Sequence, residues 1–185
     1  SAMPYRTLSR ALEKVEDGGT VVIKDSVAVD GWTAHQKTVT VTGGSLDATS
    51  LSSLQIKDNV TFTDIQILVN ANEYICANGY TLIMDSGVEL SNAIDLYGGG
   101  DSTTVAGTHV ELYSGTYKCV YGGSLRGVVD GDTHLVVGGT VNAGIDVTNH
   151  SGVQYFFGGG YSDTVTGSTH LTFQDSAKAI HLFGG

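Results

Sequence analysis

Three copies of one phrase carry the side chains best suited to chemistry. They read Gly107-Thr108-His109-Val110, Gly131-Asp132-Thr133-His134-Leu135 and Gly167-Ser168-Thr169-His170-Leu171. Imidazole moves protons near neutral pH and ligates transition metals. If the three phrases lie on neighbouring parallel strands, His109, His134 and His170 form a row at a spacing of about 4.8 Å. Such a row either holds a metal between neighbours or stands as a solvent-facing stack. No Asp or Cys recurs at one fixed position beside the histidines, so no metal is assigned.

A second row comes from a recurring tag: Tyr97-Gly98-Gly99, Tyr121-Gly122-Gly123, Phe157-Gly158-Gly159 and Phe183-Gly184-Gly185. Rings stacked at strand spacing are a platform for sugar rings, or a corner ladder whose rings pack only on each other. Tyr97, Tyr121, Phe157 and Phe183, with the three histidines, are therefore the ligand-binding candidates. The turns also carry Asp101, Asp130, Asp132 and Asp163, where calcium and plain solvation are both open readings. Arginine is confined to Arg6, Arg10 and Arg126, and no nucleophile motif is present. No catalytic residue and no cofactor is assigned.

The spacing of the tags indicates the scaffold behind these rows. Gly98, Gly122, Gly158 and Gly184 stand 24, 36 and 26 residues apart, with Gly79 as a degenerate member 19 residues earlier. Units of this size are coils of a β-solenoid, each stacking on its neighbours. Strand alternation then puts Thr108, Val110 and Leu112 on the core face, with Thr133, Leu135, Val137 and Thr169, Leu171, Phe173 stacked on them, and turns the histidines outward. Two residues before each first glycine stand Ala77, Leu96, Val120, Phe156 and Leu182. Four before it stand Ile75, Ile94, Lys118, Gln154 and Ile180. Both rows read as core, which leaves the tag aromatics outward or at a corner, with the glycines making the bend. In the row between them Cys76 and Cys119 fall two coils apart, about 9.6 Å, too far for a disulfide. Two free thiols are expected. The 36-residue coil carries a surplus near 142–154, where solenoids place loops on one face.

Upstream, Leu8, Ala11, Leu12 and Val15 recur with helical period, so a helix is expected over residues 5–17, with Thr7 as N-cap and Gly18-Gly19 as its stop. The β-branched run Thr20-Val21-Val22-Ile23 comes directly after it. From there to Tyr97 come short β segments such as Thr38–Thr42, Val60–Phe62, Ile65–Val69 and Thr81–Met84, separated by Gly, Asn and Asp.

The chain has 185 residues, 26 of them Gly and one Pro, and a net charge of −10. A surface this acidic disfavours nucleic acid and anionic membranes as partners. No apolar run approaches the roughly 20 residues needed to span a bilayer. Ser1-Ala2-Met3 reads as an expression-vector remnant, 4–19 as a capping helix and 20–185 as the solenoid. Gly185 falls inside a tag, so the chain reads as a piece of a longer protein. Its last coil, at Phe183, should offer an open edge suited to end-to-end self-association.

The helix and the phrase Asp17-Gly18-Gly19-Thr20-Val21-Val22-Ile23 behind it resemble the N-terminal cap and first strand of right-handed parallel β-helices of the pectin-lyase-like type. The phrases from Tyr97 onward resemble the Gly-rich repeats of large secreted or surface-attached bacterial proteins. The resemblance implies an all-β, right-handed parallel β-helix and an extracellular or cell-surface location. It leaves the activity open, because that fold serves lyases, hydrolases, tailspikes and adhesins alike. The Asp-Asp and His-Gly motifs of polygalacturonases do not occur. The expected function is a non-catalytic stalk or adhesin-like module with a glycan or other cell-surface ligand as partner; the alternative is a polysaccharide-degrading lyase or hydrolase.

Overall fold

Short β-branched runs bounded by turn residues cannot bury an apolar face singly, and here they do so by stacking coil on coil. The computed structural model describes residues 5–143 and 154–185. The fold is an all-β parallel solenoid with one short helix, Leu8–Lys14. Every strand pairing is parallel. The longest sheet has seven strands: Thr20–Val22, Thr38–Thr42, Asn59–Thr63, Thr81–Met84, Thr108–Leu112, Thr133–Val137 and Thr169–Phe173. A six-stranded sheet joins Ser53–Gln55, Tyr74–Cys76, Ile94–Tyr97, Tyr117–Tyr121, Tyr155–Phe157 and His181–Phe183.

The third face changes halfway. In the early coils a four-stranded sheet (Ser26–Ala28, Ser45–Asp47, Ile65–Leu68, Val88–Leu90) comes after the seven-stranded sheet in chain order. In the later coils a three-stranded sheet (Asp101–Val105, Arg126–Val129, Ser162–Val165) precedes it instead. The segments after each tag, which read as polar turns in the sequence, are these three strands. Their β-branched content supports the extended backbone, and their outer faces, with Thr103, Thr104 and Thr164, are exposed to water.

Register stacks like on like through the core. Val21, Val41, Phe62, Met84, Leu112, Val137 and Phe173 are successive partners. Leu54, Ile75, Leu96, Val120, Phe156 and Leu182 form the facing row. The interior members of both rows are buried, each worth about 1.5–3 kcal/mol of transfer free energy. The expected core face of the Thr-His phrases is present: Thr108, Val110, Leu112, Thr133, Leu135 and Val137 are all buried. Their counterparts in the last of these strands, Thr169, Leu171 and Phe173, are only partly so.

Several expectations need correction. The helix is shorter than 5–17. Thr7 caps it, accepting the Arg10 amide at 3.3 Å, but Val15 is already extended. The neighbouring strand captures the residues beyond it, since Thr38 N–H donates to Asp17 Oδ1 and Gly18 N–H to the Thr38 carbonyl. Lys37 Nζ caps the helix C-terminus through the carbonyls of Leu12, Glu13 and Val15.

Gly79 is not the tag equivalent. Cys76 pairs with Tyr97, so Ala77 stands where later coils have the first glycine, and Ile75 takes the core position expected for Ala77. That earlier coil turns through Asn78 and Gly79, both at positive φ. A register shift between Ile94 and Leu96 likewise puts Tyr117, fully buried, opposite Ile94 and turns Lys118 out to water. Both thiols are free, as expected, although Cys76 and Cys119 occupy different rows.

The tag glycines do not serve a left-handed bend, since none of Gly98, Gly99, Gly122, Gly123, Gly158 and Gly159 has the positive φ seen at Gly79. They are needed for close approach: a Cβ on Gly98 would collide with the Gly122 carbonyl oxygen, and one on Gly122 with that of Gly158. The Thr-His phrase explains where those carbonyls point. Thr108 Oγ1 donates to the Gly122 carbonyl and Thr133 Oγ1 to the Gly158 carbonyl, both at 2.6 Å, and Thr169 Oγ1 to that of Gly184. Tag and phrase recur together because each phrase threonine satisfies the carbonyl of the next tag.

Residues 29–37 contribute no strand and are pinned by Asp58, which is 1% exposed. Asp58 Oδ2 accepts from Trp32 Nε1 at 3.0 Å and lies 3.1 Å from His35 Nδ1. Its Oδ1 accepts the amides of His35 and Lys37 at 2.8 and 3.2 Å. The expected surplus near 142–154 falls almost wholly on residues 144–153, outside the described residues. At its edge Asn142 is buried, accepts the Tyr117 amide at 2.8 Å and donates to the Lys178 carbonyl at 3.2 Å.

Candidate functional site

Parallel stacking brings the seven candidate residues into two rows on different sheets. On the seven-stranded sheet His109, His134 and His170 are direct partners facing outward. The row is uneven. His109 Nε2 lies 2.7 Å from Glu111 Oε1, and its ring stands 6.1 Å from that of His134 at an interplanar angle of 32°. His134 and His170, both exposed, stack at 4.5 Å and 5°. The His109 contact, with a smaller contribution from the Tyr113 hydroxyl, holds the Glu111 carboxyl below its ordinary range despite partial desolvation. Asp132, which the sequence offers only as a turn carboxylate, joins the pair: ligand atoms of Asp132, His134 and His170 all lie within 4.8 Å of one another. Asp132 precedes His134 by two residues and so shares its face of the strand.

The aromatic row on the six-stranded sheet is continuous. Tyr97 and Tyr121 stack at 5.0 Å and 7°, Tyr121 and Phe157 at 4.7 Å and 3°, and Phe157 and Phe183 at 4.8 Å and 9°. It lies off the main core and builds a small second core of its own. Tyr97 and Tyr121 are buried with Cys76, and Tyr74, Cys119, Leu125 and Phe157 pack around them. Desolvation, more than any neighbouring charge, pushes both phenols well above the ordinary tyrosine range. The most exposed ring here is Tyr161, 65% against 42% for Phe183 at the end of the row, and it is set edge-on to Tyr121 at 5.7 Å and 83°.

One residue beyond Tyr161 the three-stranded sheet begins, and its first row is polar: Asp101 pairs with Arg126, and Arg126 with Ser162. Asp101 Oδ1 accepts from Arg126 at 2.7–2.8 Å, and its Oδ2 accepts the Tyr74 hydroxyl at 3.1 Å. Desolvation opposes ionisation of Asp101, but hydrogen bonds from Arg126, Tyr74 and Ser102 outweigh it and hold the carboxyl below its ordinary range. Tyr161 and this row escape the sequence reading. A signal for them exists in Val105, Val129 and Val165, which close three similar β-branched segments just ahead of the Thr-His phrases.

The other turn carboxylates are used laterally. Asp130 accepts from Thr166 Oγ1 at 3.0 Å, Asp132 from the Ser168 amide at 2.7 Å and Asp163 from the Ser124 amide at 2.6 Å. Each ties a turn to an adjacent coil, so they do not converge on one point. At the opposite end an apolar groove of about 510 Å³ runs between the helix and the first coil, lined by Leu8, Ala11, Val15, Val21, Val22 and Val27 among others. No helix among the described residues is long and apolar enough to cross a membrane. No family model, curated protein or solved structure matches the chain.

Proposed function

We propose that this chain is a non-catalytic glycan-binding module of a secreted or surface-attached protein, in which the solenoid serves as a rigid stalk. The reading takes the solenoid to be of the right-handed, pectin-lyase-like kind, on the strength of the Asp17–Ile23 phrase behind the capping helix. The observation that carries the functional part is Tyr161. An exposed ring, braced edge-on by Tyr121, stands one residue from a guanidinium–carboxylate row. Sugar rings present apolar C–H faces and hydroxyl edges, so a flat aromatic beside donors and acceptors in fixed register matches both. The buried stack of Tyr97 and Tyr121 sets the position of that ring, and Phe157 and Phe183 extend the same line.

The test is retention on a broad glycan array, with hits repeated for Tyr161→Ala and Arg126→Ala and then incubated with the matching polysaccharide. Saturable binding that both substitutions weaken, with no new reducing or unsaturated ends, is the expected result. Turnover of the polysaccharide would establish the enzyme instead, and binding untouched by both substitutions would remove this surface from the function.

A further inference from the structure

The solenoid brings together one group of metal-ligating side chains that the glycan reading does not use. We propose that Asp132, His134 and His170 form a site for a divalent transition-metal ion of the zinc type, joining two successive coils on the outer face of the seven-stranded sheet. Two imidazoles and a carboxylate are a donor set suited to such ions, and three protein ligands leave a position for water.

The geometry rests on the fold itself. His134 and His170 are register partners, so the coil repeat fixes their separation, with ring centroids 4.5 Å apart and nearly parallel. Asp132 is held in place because its Oδ1 accepts the Ser168 amide of the neighbouring coil at 2.7 Å. That bond orients the carboxylate and leaves Oδ2 for an ion. With metal–ligand distances near 2.0–2.1 Å, tetrahedral donors stand about 3.4 Å apart. The three donor atoms lie within 4.8 Å of one another, so closure needs roughly an ångström of movement. Rotation about the side-chain torsions of exposed residues supplies that without disturbing the backbone. The net charge of −10 adds a long-range attraction for cations.

The same geometry excludes the third histidine. His109 is engaged by Glu111 and tilted away from His134, and Gly107 faces Asp132 on its side of the sheet, so that coil offers no acid at the equivalent position. The site is therefore a coil pair, not the three-coil row that the sequence alone suggests.

Isothermal titration of the untagged protein with zinc chloride tests this, under reducing conditions and with circular dichroism to check that each variant is folded. One zinc ion per chain is expected. His134→Gln, His170→Gln and Asp132→Asn should each weaken binding at least about tenfold, as loss of a ligand or its support does, while His109→Gln stays within about twofold of the wild type. Asp132→Asn retains the acceptor for the Ser168 amide, so its loss of affinity reports ligation and not folding. Absence of saturable zinc binding by the wild type overturns the proposal. So does binding that survives both histidine substitutions, or that falls as far with His109→Gln.

Discussion

Replacing Asp58 by Asn should destabilise the N-terminal half of the solenoid through a single atom. Asn keeps Oδ1, and with it the amides of His35 and Lys37, but puts an NH2 group where Oδ2 accepts from Trp32 Nε1. Asp58 and Trp32 are 1% and 5% exposed, so water cannot replace the lost acceptor. A hydrogen bond to a charged group contributes about 1.5–3 kcal/mol, and an orphaned buried donor costs about 1–3 kcal/mol. We take about 3 kcal/mol for the substitution, which in a chain of this size lowers the melting midpoint by about 6–12 °C. Trp32 is the sole tryptophan, so a fluorescence-monitored melt reads the affected contact directly. The effect should also depend on pH. Burial alone would push the Asp58 carboxyl up, but the hydrogen bonds from Trp32, His35 and Lys37 outweigh it and hold the group below the ordinary value of 3.8. A depressed carboxyl contributes its stability above 3.8 and loses it as pH falls through the lower folded value. The gap between wild type and Asp58→Asn should therefore narrow below pH 3.8. A midpoint within about 1 °C of wild type near neutral pH, with an unchanged tryptophan spectrum, would refute the account of residues 29–37 as a segment held by this carboxylate.

Three further outcomes test the packing of the coils. Thr133→Val, isosteric but without the hydroxyl, strands the buried Gly158 carbonyl and should cost about 1–2 kcal/mol in urea denaturation; the same change at exposed Thr104 should be neutral, and equal effects would discredit the tag–phrase link. Burial pushes the Cys76 thiol up to about 12, so native protein at pH 8 should leave Cys76 unlabelled by maleimide until it unfolds. Its intact mass without reductant should match that of the fully reduced chain; a deficit of two hydrogens would contradict the separate rows of Cys76 and Cys119.

The solenoid is legible in the sequence because its signal is periodic: the Thr-His phrases carry face, register and the partnership of the three histidines. The hidden part is set by contacts between coils. Nothing local marks Asp132 as a neighbour of His170, since the two meet only through the coil repeat. The two-residue offset at Cys76 is invisible because Gly79 imitates a tag glycine, while the actual corner uses Asn78 and Gly79 at positive φ. Alternation counts Lys118 as core because it cannot foresee the irregularity that substitutes Tyr117. The tag aromatics do lie off the main core, as the pattern implies. That Tyr97 and Tyr121 are nevertheless buried depends on Tyr74 and Leu125, which no pattern in the tag announces.

The bond from each phrase threonine to the next tag carbonyl bears on how such a chain can change length. Every coil in the later half offers the same fittings to the coil before it and the coil after it: an aromatic to stack on, a glycine that admits a carbonyl, and a threonine that receives it. Excising 98–121 as a block would set Gly122 directly after Tyr97, place Tyr97 against Phe157, and bring the strand Thr133–Val137 onto Thr81–Met84 with matching residues in register. Losing that coil at the tag would thus keep strand register and aromatic stacking matched, and would cost only side-chain bonds particular to it, such as those of Arg126 to Asp101 and of the Tyr117 amide to Asn142. The spacings of 24, 36 and 26 residues all keep the rows aligned, so differences in coil length are taken up between the strands and not within them. The tag is then the joint between successive coils, and the later half of the molecule grows in steps of one coil.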